Sequence, residues 1–360
     1  MAKIDALFKV VMDSGATDLH MSPSSKPMIR TIGQLVQIEQ APVLTDEMNK
    51  ALLYEIMSEQ QRERFEKTRD LDLAYTSEAV SSRFRVNIFM DKKGISAVFR
   101  LIPTVIKTIE ELGLSPLIKD FSNLHKGLVL VTGPAASGKS TTLAAMVDHV
   151  NRTREDHVLT VEDPIEFVHT SQKCLVNQRE VGRNTVSFAS ALKGALREDP
   201  DVIMVGELRD LETIELAITA AETGHLVFGT LHTGSAAKTI DRVINSFPTK
   251  GQAQIRAMLS ESLRGVVSQQ LLYTIEGKRI VAQEILVGTP AIGNMIREGK
   301  TFQIPSIMQA SRKEGMTTMD GAIMDLVNRK IVTPEEAYLK AAEKKTFEHM
   351  LAIKPVEAMF

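Results

Sequence analysis

The stretch Gly133-Pro134-Ala135-Ala136-Ser137-Gly138-Lys139-Ser140 follows the apolar run Leu128–Val131 and leads into the helix-prone segment Thr141–Val150. Its spacing is that of a phosphate-binding loop, G-x-x-x-x-G-K-[ST], between a predicted strand and a predicted helix. We expect its backbone N–H groups to surround nucleotide phosphates and Lys139 to reach the β- and γ-phosphates. Ser140 is the predicted ligand of Mg²⁺. The segment 133–141, which includes Thr141, therefore predicts a site for a nucleoside triphosphate.

Composition places the chain among ordinary globular proteins and limits its partners. Its 360 residues predict two domains, and its net charge of −2 gives no basic field for nucleic acid. Cys174 is the single cysteine, which excludes an internal disulfide and a cysteine-rich zinc site. The N-terminal helix carries Lys9 and Asp13, and no apolar run approaches the ~18 residues of a membrane span. We expect a cytosolic protein without a transmembrane segment.

The chain divides by pattern into four parts. Residues 1–102 predict a small α+β domain, 103–120 a linker, 121–290 an α/β domain, and 291–360 a helical region. The first part contains an N-terminal helix, a hairpin over Met28–Ile38, one helix over Asp46–Lys67, and strands at Leu71–Tyr75, Arg83–Phe89 and Ile95–Leu101.

From Lys126 onward, strands and helices alternate, as in a mostly parallel sheet covered by helices. The predicted strands are Leu128–Val131, His157–Val161, Val202–Val205, Leu226–Thr230 and Ile280–Val287. The predicted helices are Thr141–Arg152, Ser187–Arg197, Leu211–Thr223, Ala237–Ser246 and Gln252–Leu271, followed by a helical stretch from Ala291 to about Ala342. The fold class is α/β.

Two acidic side chains follow apolar strands, where the chemistry of a nucleotide-hydrolysing enzyme is expected. Glu162 closes the strand before Asp163-Pro164, and Glu207 follows Val205-Gly206 in the arrangement of a Walker B acid. A carboxylate in either place can accept a proton from the attacking water or hold Mg²⁺ through water. A helix cap or solvated turn is the alternative for Glu162, and the exposed end of a buried strand is the alternative for Glu207.

Two histidines flank one apolar strand, with His225 before it and His232 after it. A single histidine is more often a structural hydrogen-bonding group than a sensor. Because both lie at strand termini, we expect them beside the same pocket, where either can sense the γ-phosphate. Metal binding is not expected, since thiol or carboxylate partners at short spacing are missing.

Arginines are the remaining candidates, because a guanidinium from a neighbouring subunit can stabilise the transition state of phosphoryl transfer. Arg83 and Arg85 fall on one face of a predicted strand whose other face is apolar. Arg100, Arg197 and Arg209 are further candidates. For each, a solvated or ion-paired surface side chain is the alternative.

Taken together, these segments resemble the type IV pilus retraction ATPases, the PilT-like branch of the secretion ATPase superfamily. The resemblance extends along almost the whole chain. It includes the phosphate-binding loop and the segments Gly15–His20, Arg83–Asn87, Thr160–Phe167, Asn177–Val181, Ala195–Asp201, Gly206–Asp210, Ala221–Thr233 and Gly288–Glu298.

The resemblance implies a PAS-like N-terminal domain, a RecA-like P-loop NTPase core and a homohexamer with nucleotide between subunits. It assigns Glu162 to the Asp box, Glu207 to the Walker B motif, and His225 and His232 to the His box. ATP and Mg²⁺ are the implied ligands. The implied partners are an inner-membrane platform protein, other pilus machinery and, as a further option, a second retraction ATPase. The implied location is the cytoplasmic side of the inner membrane.

Two positions depart from the family pattern. Ala135 and Ala136 replace Thr-Gly at variable positions of the loop, and we expect phosphate binding to persist if the backbone at Ala136 avoids positive φ. Gly293 replaces the first arginine of the family's Ala-Ile-Arg-Asn motif, within a helix predicted to start at Thr289-Pro290. That motif is associated with converting hydrolysis into pilus disassembly, so Gly293 marks a position where coupling can differ.

Several functions are compatible with parts of these patterns. The leading hypothesis is a hexameric ATPase that drives pilus retraction and twitching motility, and an accessory, PilU-like retraction ATPase is its nearest alternative. A pilus assembly ATPase is disfavoured because that branch usually carries a tetracysteine zinc site. A RecA-type nucleic-acid motor finds no support in charge or in basic-aromatic segments. A non-catalytic nucleotide-binding scaffold is the third class.

Overall fold

The computed structural model describes residues 3–31, 33–102 and 105–351. The chain forms two compact units, one of Met1–Val105 with Pro164–Val168, and one of Ile106–Asp163 with His169–Phe360. Pro103 and Thr104 at the start of the predicted linker, and residues 352–360 of the predicted helical region, lie outside the described residues. The rest of the linker is not a free connection from Ile109 onward, because Ile109, Leu114 and Ile118 are buried in the core of the second unit.

The first unit is built on a six-stranded antiparallel sheet with the order β3-β2-β1-β6-β5-β4. Its core gathers around the aromatic rings of Phe8, Phe84 and Phe99. The elements are α1 (Asp5–Asp13), β1 (Asp18–Met21), β2 (Met28–Thr31), β3 (Gln34–Gln37), α2 (Asp46–Glu55), α3 (Glu59–Thr68), β4 (Asp70–Ser77), β5 (Ser82–Asp91) and β6 (Gly94–Ile102). The predicted N-terminal helix, hairpin and three strands are confirmed.

The predicted single helix Asp46–Lys67 is wrong, because two capped helices occupy that stretch. The Thr45 hydroxyl accepts from the backbone of Met48 at the start of α2. The Ser58 hydroxyl accepts from the backbone of Gln61, whose side chain returns to the backbone N–H of Ser58. This capping box at Ser58 satisfies the first free N–H groups of α3 and so starts a new helix there.

The second unit contains a seven-stranded sheet with the order β13-β12-β7-β11-β10-β8-β9. All neighbouring pairs are parallel except β12 with β13. Helices cover both faces, and two apolar clusters fill the space beneath them. The elements as far as the last strand are α4 (Leu117–Ser122), β7 (Gly127–Thr132), α5 (Lys139–Thr153), β8 (His157–Glu162), β9 (Leu175–Glu180), α6 (Phe188–Ala195), β10 (Val202–Val205), α7 (Leu211–Glu222), β11 (Leu226–Leu231), α8 (Ala236–Asn245), α9 (Gln252–Ser262), β12 (Leu263–Tyr273) and β13 (Arg279–Val287).

The predicted helix Gln252–Leu271 is wrong in its second half. Helix α9 ends at Ser262, and β12 begins at Leu263 beside β7. Seven residues of β12 are buried, and a short buried apolar run has no period that separates a strand from a helix. Gly265 lies directly on the ring of Phe121, since a Cβ there would come within 2.4 Å of Cζ. Strand β9 was not predicted either.

The C-terminal part is helical, as predicted, and packs on β12 and β13. It contains α10 (Pro290–Arg297), α11 (Ile304–Ala310), α12 (Met319–Asn328), α13 (Pro334–Lys340), α14 (Lys345–Glu348) and 3₁₀ turns at Thr301–Gln303 and Arg312–Glu314. Thr289 caps α10 with Pro290 in the first turn, which confirms the predicted helix start. Of the helices in the described part of the chain, none is long and apolar enough to span a membrane.

Glu284 on β13 joins two helices that are distant in sequence. Its carboxylate accepts from the backbone N–H of Ala236 at 2.6 Å and from that of Met319 at 3.1 Å, at the first residues of α8 and α12. Burial raises the pKa of Glu284, and the two backbone hydrogen bonds oppose that rise without cancelling it. A single carboxylate therefore holds both helix N-termini.

Gly293 allows α10 to approach α9 closely. The residue is buried, and a Cβ at this position would lie 2.9 Å from the carbonyl oxygen of Ser260. The arginine found here in the family pattern would require α10 to move away from α9. In this chain, Gly293 therefore has a packing role of its own.

Candidate active site

Four parallel strands end at one edge of the second sheet and bring the predicted groups together. The register pairs Leu231 with Thr132, Val205 with Gly229, and Val161 with Val205. The phosphate-binding loop follows β7, Glu162 ends β8, Glu207 follows β10, and His232 follows β11. The carboxyl edge of an open parallel sheet is where such folds bind their ligands.

The phosphate-binding loop is shaped by close backbone contacts. Gly133 has φ +142°, and a Cβ there would lie 2.3 Å from the carbonyl oxygen of Gln269. Gly138 has φ +91° and precedes the first residue of α5, Lys139. The Lys139 ammonium donates to the carbonyl oxygens of Gly133 at 3.0 Å and Pro134 at 2.9 Å. Burial lowers the pKa of Lys139, and the negative charge of Glu207 opposes that change.

The residues of this loop fit a phosphate group and Mg²⁺. The Ser137 Oγ is buried without a hydrogen-bond partner among the described residues, although it is a good donor. Ser140 is exposed and Thr141 half-buried in the first turn of α5, where the unpaired backbone N–H groups favour an anion. The loop thus offers donors that its own fold leaves unused.

Ala136 departs from the expected backbone conformation. Its φ is +60°, in the left-handed region, so the condition that its backbone avoids positive φ is not met. Ala135 stays outside the positive-φ region. The loop requires the conformation that glycine adopts easily, and here an alanine adopts it at a cost of about 1–2 kcal/mol.

We therefore predict that Ala136→Gly raises the free energy of unfolding of the nucleotide-free protein by about 1 kcal/mol. Denaturant unfolding of the second unit, which contains the loop, measures this change in free energy. Ala135→Gly is the matched control, and it should lower stability by about 0.4–1 kcal/mol because it only loosens the unfolded chain. Equal effects of both changes would contradict strain at Ala136.

Glu207 contacts two side chains, a guanidinium and an imidazole. Its carboxylate lies 2.8 Å from Arg209 Nη2 and 3.4 Å from His232 Nε2. Partial burial raises the pKa of Glu207, but the hydrogen bond and charge of Arg209, with the contact from His232, outweigh burial and leave it below the usual value. The carboxylate therefore stays ionised.

Glu162 lies one strand away in a different environment. It is 5% exposed, and its Oε1 accepts from Thr160 Oγ1 at 2.7 Å and from Gln178 Nε2 at 3.2 Å. A Cβ at Gly206 would lie 3.3 Å from the Cα of Glu162, so the glycine allows the two strand ends to approach. Thr160 and Gln178 both contact Glu162 Oε1, whereas a guanidinium, that of Arg209, contacts Glu207.

The segment after β11 is fixed by buried hydroxyl groups. Thr233, next to His232, is 2.7 Å from Thr239 on α8. Thr239 is 3.4 Å from Thr132, the residue before the loop glycine, and Thr132 is 2.7 Å from Ser268 on β12. This chain of hydroxyls connects the base of the phosphate-binding loop with the backbone that carries His232.

The expectation that both histidines lie beside one pocket is wrong. His225 precedes β11, and its carbonyl accepts from Gly127 at the start of β7, the opposite end from the phosphate-binding loop. The length of β11 separates the two histidines by about 20 Å. The His225 Nδ1 lies 2.9 Å from the carbonyl oxygen of Ala220 in the last turn of α7. Within this subunit, His225 therefore contacts the C-terminal end of α7.

The candidate arginines do not gather at one site. Arg83 and Arg85 share one face of β5, opposite buried Phe84, Val86 and Ile88, as predicted. Arg85 lies 3.5 Å from Glu166 within the first unit. Of the further candidates, Arg209 belongs to the Glu207 cluster, Arg100 pairs with buried Asp18 at 2.9 Å, and Arg197 is exposed beyond α6.

Two residues of the site were not predicted. Thr160 and Gln178 contact Glu162, and a strand prediction for 175–180 would have placed Gln178 in register with Thr160. The sequence gives only a weak strand signal for residues 175–180, because β9 is an edge strand whose side chains are mostly polar.

The comparisons with known proteins identify the relatives of this chain. A family model described as "Type II/IV secretion system protein" matches residues 1–284. The chain is 54% identical over 333 residues to the type IV pilus retraction ATPase PilT of Pseudomonas aeruginosa, which covers 92% of this chain and 96% of that protein. It is 36% identical over 352 residues to PilU of the same organism, which covers 98% of this chain and 92% of that one.

A solved structure supports the same assignment. The crystal structure of the pilus retraction motor PilT with bound ADP matches 97% of this chain and 100% of that chain, with a TM-score of 0.91 and 42% identity. The ATPase DotB of Legionella pneumophila matches 93% of this chain and 94% of its own, with a TM-score of 0.83 and 28% identity. The chain therefore belongs to the type II/IV secretion system protein family, within its branch of pilus retraction ATPases.

Proposed function

We propose that this protein hydrolyses ATP to drive the retraction of type IV pili. The observation that carries the proposal is the convergence of the phosphate-binding loop, Glu162, Glu207 and His232 on one sheet edge, in a chain 54% identical to a retraction ATPase. Residues 133–141 bind the phosphates of ATP, and Lys139 exchanges its contacts with the loop carbonyls for phosphate oxygens.

The Ser140 hydroxyl and, through water, Glu207 would hold Mg²⁺. The bound ion supplies positive charge for the β- and γ-phosphate oxygens. The contacts of Glu207 with Arg209 and His232 suit this role, because an ionised and strongly paired carboxylate is a weak base but a stable anchor.

We assign Glu162 as the general base. It ends β8 beside the strand that leads to Glu207, it is buried, and its Oε1 accepts from Thr160 and Gln178, whereas Glu207 is paired with Arg209. In the reaction, water attacks the γ-phosphorus, the bond to the β-phosphate oxygen breaks, and Glu162 accepts the proton. His232 lies beside Glu207, where it can respond to the presence of the γ-phosphate.

We propose that the active assembly is a homohexamer with nucleotide between subunits. Arg83 or Arg85 would complete the site of a neighbouring subunit, and His225 would act outside the pocket of its own subunit. Its partners would be an inner-membrane platform protein and the pilus machinery, reached from the cytoplasmic side. The domain scheme of a PAS-like part, residues 1–102, and a RecA-like part, residues 121–290, goes with this assembly.

The greater similarity to PilT than to PilU, 54% against 36% identity, favours a primary motor over an accessory retraction ATPase. Deletion of the gene in a piliated host tests this assignment. We expect complete loss of twitching motility, with assembled pili retained on the cell surface, and restoration by the wild-type chain. Partial loss would indicate an accessory motor, and loss of the pili themselves would contradict a retraction function.

A further inference from the structure

Gln178 lies between Glu162 and the backbone of His169. Its Oε1 accepts from the backbone N–H of His169 at 2.7 Å, and its Nε2 donates to Glu162 Oε1 at 3.2 Å. The orientation of the amide is fixed by chemistry, since a backbone N–H can only donate and requires the amide oxygen. The amide nitrogen must then face the carboxylate of Glu162.

The sheet register determines which residue of β9 reaches Glu162. Gln178 pairs with Thr160, and Glu180 pairs with Glu162, so their side chains share one face of the sheet. Asn177 lies on the opposite face, where its Oδ1 is 2.9 Å from His157 Nε2. Two neighbouring amides of one strand therefore contact different groups on opposite faces.

We propose that Gln178 is a positioning residue that holds the Glu162 carboxylate in the orientation needed to accept a proton from water. Together with Thr160, it engages the Oε1 of Glu162 and so restricts rotation of the carboxylate about its last torsion. A general base must lie within hydrogen-bond distance of the proton that it accepts, and small misplacements are costly. This inference rests on the proposed role of Glu162 as the base.

Gln178→Glu is the most direct test because it keeps size and shape. One carboxylate oxygen can still accept from His169, but the other would face Glu162 Oε1 as a second acceptor. We expect kcat to fall about 10- to 100-fold with the dissociation constant for ATP unchanged, because the loss affects orientation and not phosphate binding. Asn177→Asp adds the same charge on the opposite face, and it should leave kcat within about twofold.

The pH dependence of kcat separates a positioning role from a structural one. Two adjacent carboxylates do not both ionise until higher pH. In Gln178→Glu, the pH at which kcat falls on the acid side should therefore rise by about one pH unit or more. Glu180, which pairs with Glu162 in the sheet register, and Asp163, which follows it in the chain, are the same in both variants. Gln178→Met, which removes the donor without adding charge, should lower kcat without moving that limb.

Two outcomes would overturn the proposal. A wild-type kcat and pH profile in Gln178→Glu, while Glu162→Gln is inactive, would reject positioning by Gln178 and retain Glu162 as the base. Activity retained in Glu162→Gln would instead reject the assignment of the base itself. A melting temperature close to that of the wild type in each variant shows that the chain is folded during these measurements.

Discussion

Lys139→Ala is expected to weaken ATP and ADP binding at least 100-fold and to abolish measurable hydrolysis. The side chain is 9% exposed at the start of α5, and its ammonium lies on the carbonyl oxygens of the loop that would receive the phosphates. A charge-assisted contact to phosphate in a dry loop contributes about 3 kcal/mol, which corresponds to a factor of about 100 in affinity. Titration calorimetry with ADP measures this loss directly.

Lys126→Ala provides the control for Lys139→Ala. Lys126 is exposed immediately before β7, at the opposite end of the strand that leads into the loop. The Lys126→Ala variant should bind ADP as the wild type does, because this substitution removes the same charge far from the phosphates. Retained nucleotide binding in Lys139→Ala would contradict the position of the site.

Glu162→Gln is expected to lower kcat by about 10²- to 10⁴-fold, the usual contribution of a general base. The amide has the size of the carboxylate but cannot accept a proton from water. ATP binding should be unchanged, because the contacts of the phosphate-binding loop remain. Steady-state ATPase assays combined with equilibrium binding of ATP separate the two quantities.

Two further variants separate the role of Glu162 from other effects: Glu207→Gln tests the role of the second acid, and Glu198→Gln is a surface control. Glu198 pairs with Arg179 at 2.8 Å on the surface, and its substitution should change kcat by less than about twofold. Glu207→Gln should weaken the Mg²⁺ dependence of ATP binding, which Glu162→Gln leaves intact. If Glu207→Gln affected only kcat and Glu162→Gln had no effect, the two roles would have to be exchanged.

The sequence was most informative where a local pattern determines a local structure. The glycines and lysine of the phosphate-binding loop, the acids at the ends of β8 and β10, and the cap at Thr289 all lie within a few residues of the signal that predicts them. The fully buried strands β7, β10 and β11 were also found, because their apolar runs are bounded by turns.

The failed predictions have one long-range cause and two local ones. Strand β12 is defined by pairing with β7, which is more than 100 residues away along the chain. The separation of His225 from His232 follows from the length of β11, which lies between them. The positive φ of Ala136 follows from the shape of the loop, which overrides the preference of alanine.

The carboxylate of Glu284 has a mechanical consequence. Helix α8 begins three residues after Thr233, and Glu284 ties its first N–H to that of α12 in the C-terminal helices. If α8 shifted alone, a buried carboxylate oxygen would lose its donor, which costs about 1–3 kcal/mol. Small displacements of the two helices are therefore stiffly coupled. A displacement that begins beside His232 would be passed through one side chain, that of Glu284, to the start of α12.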